Sequence, residues 1–236
     1  MSADFVSEFS AEFSAYGAWI AAAAIQQQDL FNEVVGPDSL QADLTERTLS
    51  SERGVLSGIT LLGSFSEVDR TWLWGWANPG FGPDAPAVAP TSAIREFGAR
   101  HGITEFTTDS PDLSGFAEPA QAAIVLAITA GTVLGGRGVW STAINEGRGH
   151  VYLHVADEQL PEAGFDPIAT PRLLLTAVSV FPSDHRQVVR GYFQHFGLQL
   201  DEGPDAIRGT APDGSTVVAS FDEHNRLADV SVQPKV

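Results

Sequence analysis

The sequence predicts an α+β fold: antiparallel β-hairpins or a meander flanked by helices, with a C-terminal α-β-β-β-β subdomain. Three observations predict it. Candidate strands come in adjacent pairs, not singly between helices, which argues against a doubly wound parallel sheet. Helical stretches with an apolar stripe, or apolar all round, separate these pairs. The last block of short strands is punctuated by the turn residues Pro212-Asp213-Gly214 and Glu223-His224-Asn225. This reading gives a domain over residues 1–181 and a small α+β subdomain over residues 182–236.

Taken in order, Phe5, Phe9, Phe13, Tyr16 and Ile20 recur at steps of three and four and draw one stripe on a helix over residues 4–33. Ala21–Ala24 adds helix propensity, and Gly36-Pro37 ends the helix. Residues 41–49 and 55–78 read as strands. Val55–Phe65 runs to a turn at Glu67-Val68-Asp69, and Arg70–Asn78 returns. The proline-rich segment Pro79–Pro90 is a loop. Thr91 or Ser92 caps a helix to His101, Gly102 closes it, and Ile103–Thr108 reads as a short strand.

Pro119 suits the first turn of a helix that runs to Leu134 and is apolar on most sides, as buried helices are. Gly135-Gly136 and Gly138 stop it. Val139–Ile144 and His150–Ala156 form a hairpin. Thr170-Pro171 opens a helix that Pro182 ends. Ser183 caps another that Gly197 closes, and strands follow near residues 198–200, 206–210, 216–221 and 228–232.

The chain has 236 residues and a formal net charge of −17. Such a field repels phosphate backbones and anionic lipid surfaces, so no nucleic-acid or membrane contact is expected. Cysteine is absent, which removes disulfides, thiol catalysis and cysteine-ligated metal. Met1-Ser2-Ala3-Asp4 and the acidic residues after it do not resemble a secretory signal. The longest apolar stretch, Ala122–Leu134, is shorter than the ~20 residues of a membrane span. A cytoplasmic location is expected.

Two constellations are candidates for a site. In Thr71-Trp72-Leu73-Trp74-Gly75-Trp76, strand alternation puts Trp72, Trp74 and Trp76 on one face. Three aligned indoles form either a stacking wall for a sugar, base or cation or a wall of the core. In His150-Val151-Tyr152-Leu153-His154, the same alternation groups His150, Tyr152 and His154. Positions four apart on a strand lie roughly 13 Å apart, too far to share one zinc, so no metal is expected there. No cofactor is expected. The motifs G-x-S-x-G, G-x-x-x-x-G-K-[ST] and a strand-linked G-x-G-x-x-G do not occur. Gly135-Gly136-Arg137-Gly138 follows a helix and precedes a strand, the reverse of a phosphate loop.

Leu61-Leu62-Gly63-Ser64-Phe65-Ser66, followed by Trp72-Leu73-Trp74-Gly75-Trp76-Ala77-Asn78, resembles the DUF6882-type family of bacterial proteins of unknown function. The resemblance covers roughly residues 1–180 and leaves the final subdomain outside. It implies no activity, substrate or cofactor.

Two functions of different class fit. One is a non-catalytic binding or protein-interaction module that meets a basic protein partner or a small molecule, as an immunity or regulatory protein does. The other is a hydrolase of unrecognised type that uses His and Asp or Glu beside a tryptophan-lined pocket.

Overall fold

The computed structural model describes residues 8–36, 39–82 and 84–233. Phe5 and Pro37, which the sequence places at the ends of the first helix, lie outside the described residues. The chain is mixed α+β, with five α-helices and three antiparallel sheets among the described residues. Its elements are α1 (Ala11–Val35), β1 (Gln41–Asp43), β2 (Thr48–Ser51), β3 (Gly54–Ser57), β4 (Thr60–Ser66), β5 (Thr71–Trp74), α2 (Ser92–His101), α3 (Pro119–Val133), β6 (Gly138–Ile144), β7 (Gly149–Val155), α4 (Thr170–Val180), α5 (His185–His195), β8 (Gln199–Glu202), β9 (Ala206–Thr210), β10 (Thr216–Phe221) and β11 (Leu227–Gln233).

Contacts divide the chain into two compact units. One comprises the segment ending at Phe13 together with Gln27–Pro161; the other comprises Ser14–Gln26 and the chain from Glu162 onward.

The first unit holds a four-stranded sheet of order β5-β4-β7-β6 and a three-stranded sheet of order β1-β2-β3. One face of the larger sheet carries Leu61, Leu153 and Val155, packed with Phe31 and Val35 of α1 and with Leu49, Ile59, Val88 and Leu160. Gly138 is part of this packing: a β-carbon there would collide with the Phe31 ring. The opposite face lies under α3. Gly131 of α3 approaches closely, so a β-carbon would meet Val139 Cγ2 at 3.0 Å and His154 Cδ2 at 3.6 Å.

Both edges of this sheet are capped over part of their length. Along β5, Trp72 N donates to Pro111 O at 2.9 Å and Trp74 N to Asp109 O at 3.2 Å. On β6, the Gln28 side chain accepts from Val139 N at 2.9 Å and donates to Val139 O at 2.9 Å. An open edge is a template for unwanted pairing, and these contacts remove it at those residues.

Several sequence expectations need correction here. Val55–Phe65 is not one strand, because Gly58 adopts φ +73° and breaks it into β3 and β4. Ile103–Thr108 is a 3-10 turn, not a strand. The left-handed Gly102 (φ 71°) turns the chain back so that Ile103 N donates to Gly98 O, and Phe106 fills the space that Gly98 leaves. The strand from Arg70 ends at Trp74 and not at Asn78, and Gly75–Ala77 is a 3-10 turn. Gly75 is buried against the Leu61 carbonyl, where a side chain does not fit.

The second unit packs the buried side of α5, with Val188, Val189, Tyr192 and Phe193, on a sheet of order β11-β10-β9-β8. Val217, Ala219 and Phe221 of β10 alternate into that core. Gly191 on α5 faces the Trp19 backbone with no room for a β-carbon. Tyr192 hydroxyl donates to Gln26 Oε1 at 2.9 Å, and burial pushes its pKa up to about 12. His185 Nδ1 accepts from Leu227 N at 2.9 Å and ties the start of α5 to β11.

The cap of α5 is Asp184, not Ser183: its carboxylate accepts from Gln187 N at 2.8 Å. A helix cap contributes about 1 kcal/mol. Asp184→Ala is therefore expected to lower unfolding stability by about 1 kcal/mol, read as a lower urea midpoint at unchanged slope. An unchanged midpoint contradicts the assignment.

Candidate functional site

The register of β4, β5 and β7 assembles the aromatic residues. Trp72 lies opposite Phe65, and Trp74 lies opposite Gly63, which is in turn opposite Tyr152. Direct partners share a face, so Trp72, Trp74 and Tyr152 point together toward the α3 side. Gly63 makes room for them, since a β-carbon there would come within 2.7 Å of the Trp72 indole. The Trp72 and Trp74 rings meet edge to face with centroids 5.2 Å apart, and Trp72 and Tyr152 are 5.0 Å apart. Phe106 adds an edge-to-face contact to Trp74 at 5.9 Å.

Trp76 reaches the cluster by another route. It sits on the 3-10 turn, so strand alternation does not place it. Its ring nonetheless stacks on Trp74, with centroids 4.6 Å apart and planes 11° from parallel. Trp72 and Trp74 are fully buried, whereas Trp76 is half-buried. Trp74 Nε1 donates to Glu105 O at 2.9 Å, and Trp76 Nε1 donates to Asp109 Oδ1 at 3.0 Å. Trp72 Nε1 is buried with no hydrogen-bond partner. The three indoles thus form one continuous cluster whose outer end is Trp76 with the Asp109 carboxylate at its edge.

The three polar residues of β7 separate by environment. His150 is partly exposed, and its Nε2 lies 3.5 Å from Glu67 Oε1. Tyr152 is buried; burial first, and then the Glu67 charge, pushes its pKa up to about 12. His154 lies opposite Thr60 and Val139, is 1% exposed and has an unpartnered Nε2. Burial lowers its pKa to about 4. His154 is therefore a neutral core residue at neutral pH. The described residues contain no group of three or more His, Cys, Asp or Glu side chains placed to hold a metal ion.

The sequence reading missed Asp109, Glu67 and Phe106. Asp109 and Phe106 stand in irregular segments, where no periodicity marks which side chains return to a sheet. Glu67 stands in the turn between β4 and β5, and only the pairing of β4 with β7 brings it to His150.

The family model for the DUF6882 family of unknown function matches residues 15–158, more than half of the chain. The chain belongs to this family. The matched DUF6882 region includes the whole indole cluster and the His150–Glu67 pair. Comparison with curated proteins and with solved structures returns no match. Among the described residues, no helix of this DUF6882 protein is long and apolar enough to cross a membrane.

Proposed function

We propose that this DUF6882 protein is a non-catalytic protein-interaction module whose partner is basic. One observation carries the reading: the side chains on which chemistry would depend are spent on packing. Trp72 and Trp74 are 0% exposed, His154 1% and Tyr152 3%. A buried neutral histidine and a phenol held far above neutral pH do not exchange protons with a substrate. The net charge of −17 favours a basic partner through long-range attraction and disfavours nucleic acid. A cytoplasmic location accords with this reading.

A hydrolase is the second reading, and the observation that favours it is the His150–Glu67 pair. Its two side chains are 36% and 37% exposed, and a carboxylate beside a histidine is the arrangement that orients a general base. A panel of chromogenic esters, phosphoesters and glycosides separates the two. The interaction reading expects no turnover above that of His150→Ala. Saturable turnover by the natural sequence that His150→Ala abolishes would establish the hydrolase instead.

A further inference from the structure

We propose that the open edge of β3, with the apolar cleft beside it, is a docking site for an extended peptide that carries an apolar residue flanked by lysine or arginine. The proposal rests on the interaction-module reading and names the surface that such a module would use.

The edge follows from the hairpin. Ser51 pairs with Gly54 across the two-residue turn Glu52-Arg53, and Ser50 lies opposite Val55. Hydrogen-bonded and non-bonded pairs alternate along an antiparallel ladder. Ser57 N points away from β2, because it donates to Asp157 Oδ2 at 2.5 Å, joined there by Ser57 Oγ at 2.7 Å. Two residues earlier, the Val55 N–H and C=O must point the same way. Val55 is 55% exposed. The larger sheet contrasts with this: β5 is covered by the Asp109–Pro111 segment, and Gln28 occupies Val139 of β6. At Val55, between the turn and the Asp157 contact on Ser57, the edge of β3 is left presented.

Beside Val55 lies a cleft of about 200 Å³ floored by Val34, Val35, Leu40, Leu49 and Leu56. An added strand places alternate side chains on one side, so one apolar residue of the peptide can enter it. Past Ser51 a separate, more polar hollow is lined by Ser39, Gln41, Ser50 and Glu52. Glu52, which lines that neighbouring hollow, is exposed. Among the described lining residues Arg53 is the one cation, and its guanidinium lies against Gly36 at the C-terminal end of α1, where the helix dipole favours a positive charge. Glu52 beside the cleft, on a chain of net charge −17, favours basic flanks on the peptide.

The test is a selection of short extended peptides from a randomised display library on the full chain. Enriched sequences are then measured by fluorescence anisotropy. The proposal expects an apolar residue with Lys or Arg at neighbouring alternate positions, and binding that weakens as salt rises. Val55→Pro removes the outward N–H, and Val34→Trp fills the cleft. Each is expected to weaken binding roughly tenfold or more. Glu52→Lys, at an exposed turn position, is expected to weaken it too and to flatten its salt dependence. No enrichment, enrichment of acidic sequences, or binding that none of the three variants alters overturns the proposal. A protein that binds no such peptide and shows no turnover refutes this docking site alone; saturable, His150-dependent turnover refutes the interaction reading itself.

Discussion

Trp74→Ala is expected to lower the unfolding free energy by about 4 kcal/mol. The indole is 0% exposed and touches Trp72, Trp76 and Phe106 through its ring faces and edges. Its removal loses the transfer energy of a large apolar group and leaves a cavity. The surroundings collapse poorly because β4 and β7 are locked in register behind it. The Glu105 carbonyl also loses its donor. Trp76→Ala is the internal comparison. That ring is half-buried and stacks on one side only, so its loss is expected to be about 1–2 kcal/mol. Urea unfolding of both variants checks the order. Equal losses would mean that Trp76 is as much a part of the interior as Trp74.

The second large effect is a fall in stability on acidification. The unfolded chain protonates His154 near the ordinary 6.5, whereas burial holds the folded value at about 4. Between those values the unfolded state binds the extra proton, so stability rises with pH. The contribution is complete above 6.5 and is lost as the pH falls toward 4. A difference of this size corresponds to a loss of about 3 kcal/mol. His195 acts in the same sense, since burial lowers its pKa as well. Asp157 contributes only in more acidic solution: burial would raise its carboxyl, but hydrogen bonds from Ser57 and Gln159 outweigh that and leave it lowered. His154→Leu is expected to flatten the profile between pH 6.5 and 4, measured by urea midpoints across that window. Parallel profiles for the natural sequence and the variant contradict the burial of a neutral ring.

These effects show how far the sequence could be read. Helices α1, α2 and α3 and the hairpin of β6 and β7 were legible, because their apolar periods and end residues act over a few positions. Pairing Trp72 with Trp74 was legible for the same reason. Trp76 departs from the alternation because the strand stops at Trp74 and a 3-10 turn follows, opened by Gly75, whose tight fit against the Leu61 carbonyl no local period marks. Gly58 broke an apparent strand through a backbone angle that the residue type permits without requiring. Whether the indoles face solvent or core depended on α3 and on the segment around Phe106, which meet the sheet from elsewhere in the chain. The open edge at Val55 was illegible altogether, since it is defined by which backbone groups other strands leave unpaired.

The hold that Gln28 has on Val139 carries a demand on chemistry at position 28. One primary amide both gives and receives a hydrogen bond there, as a peptide group in an adjoining strand would. A carboxylate of the same length would face the Val139 carbonyl with no proton to offer, and asparagine would fall one methylene short. Without that stopper, the backbone groups of Val139 would be added to the length of β6 that a second molecule can pair with.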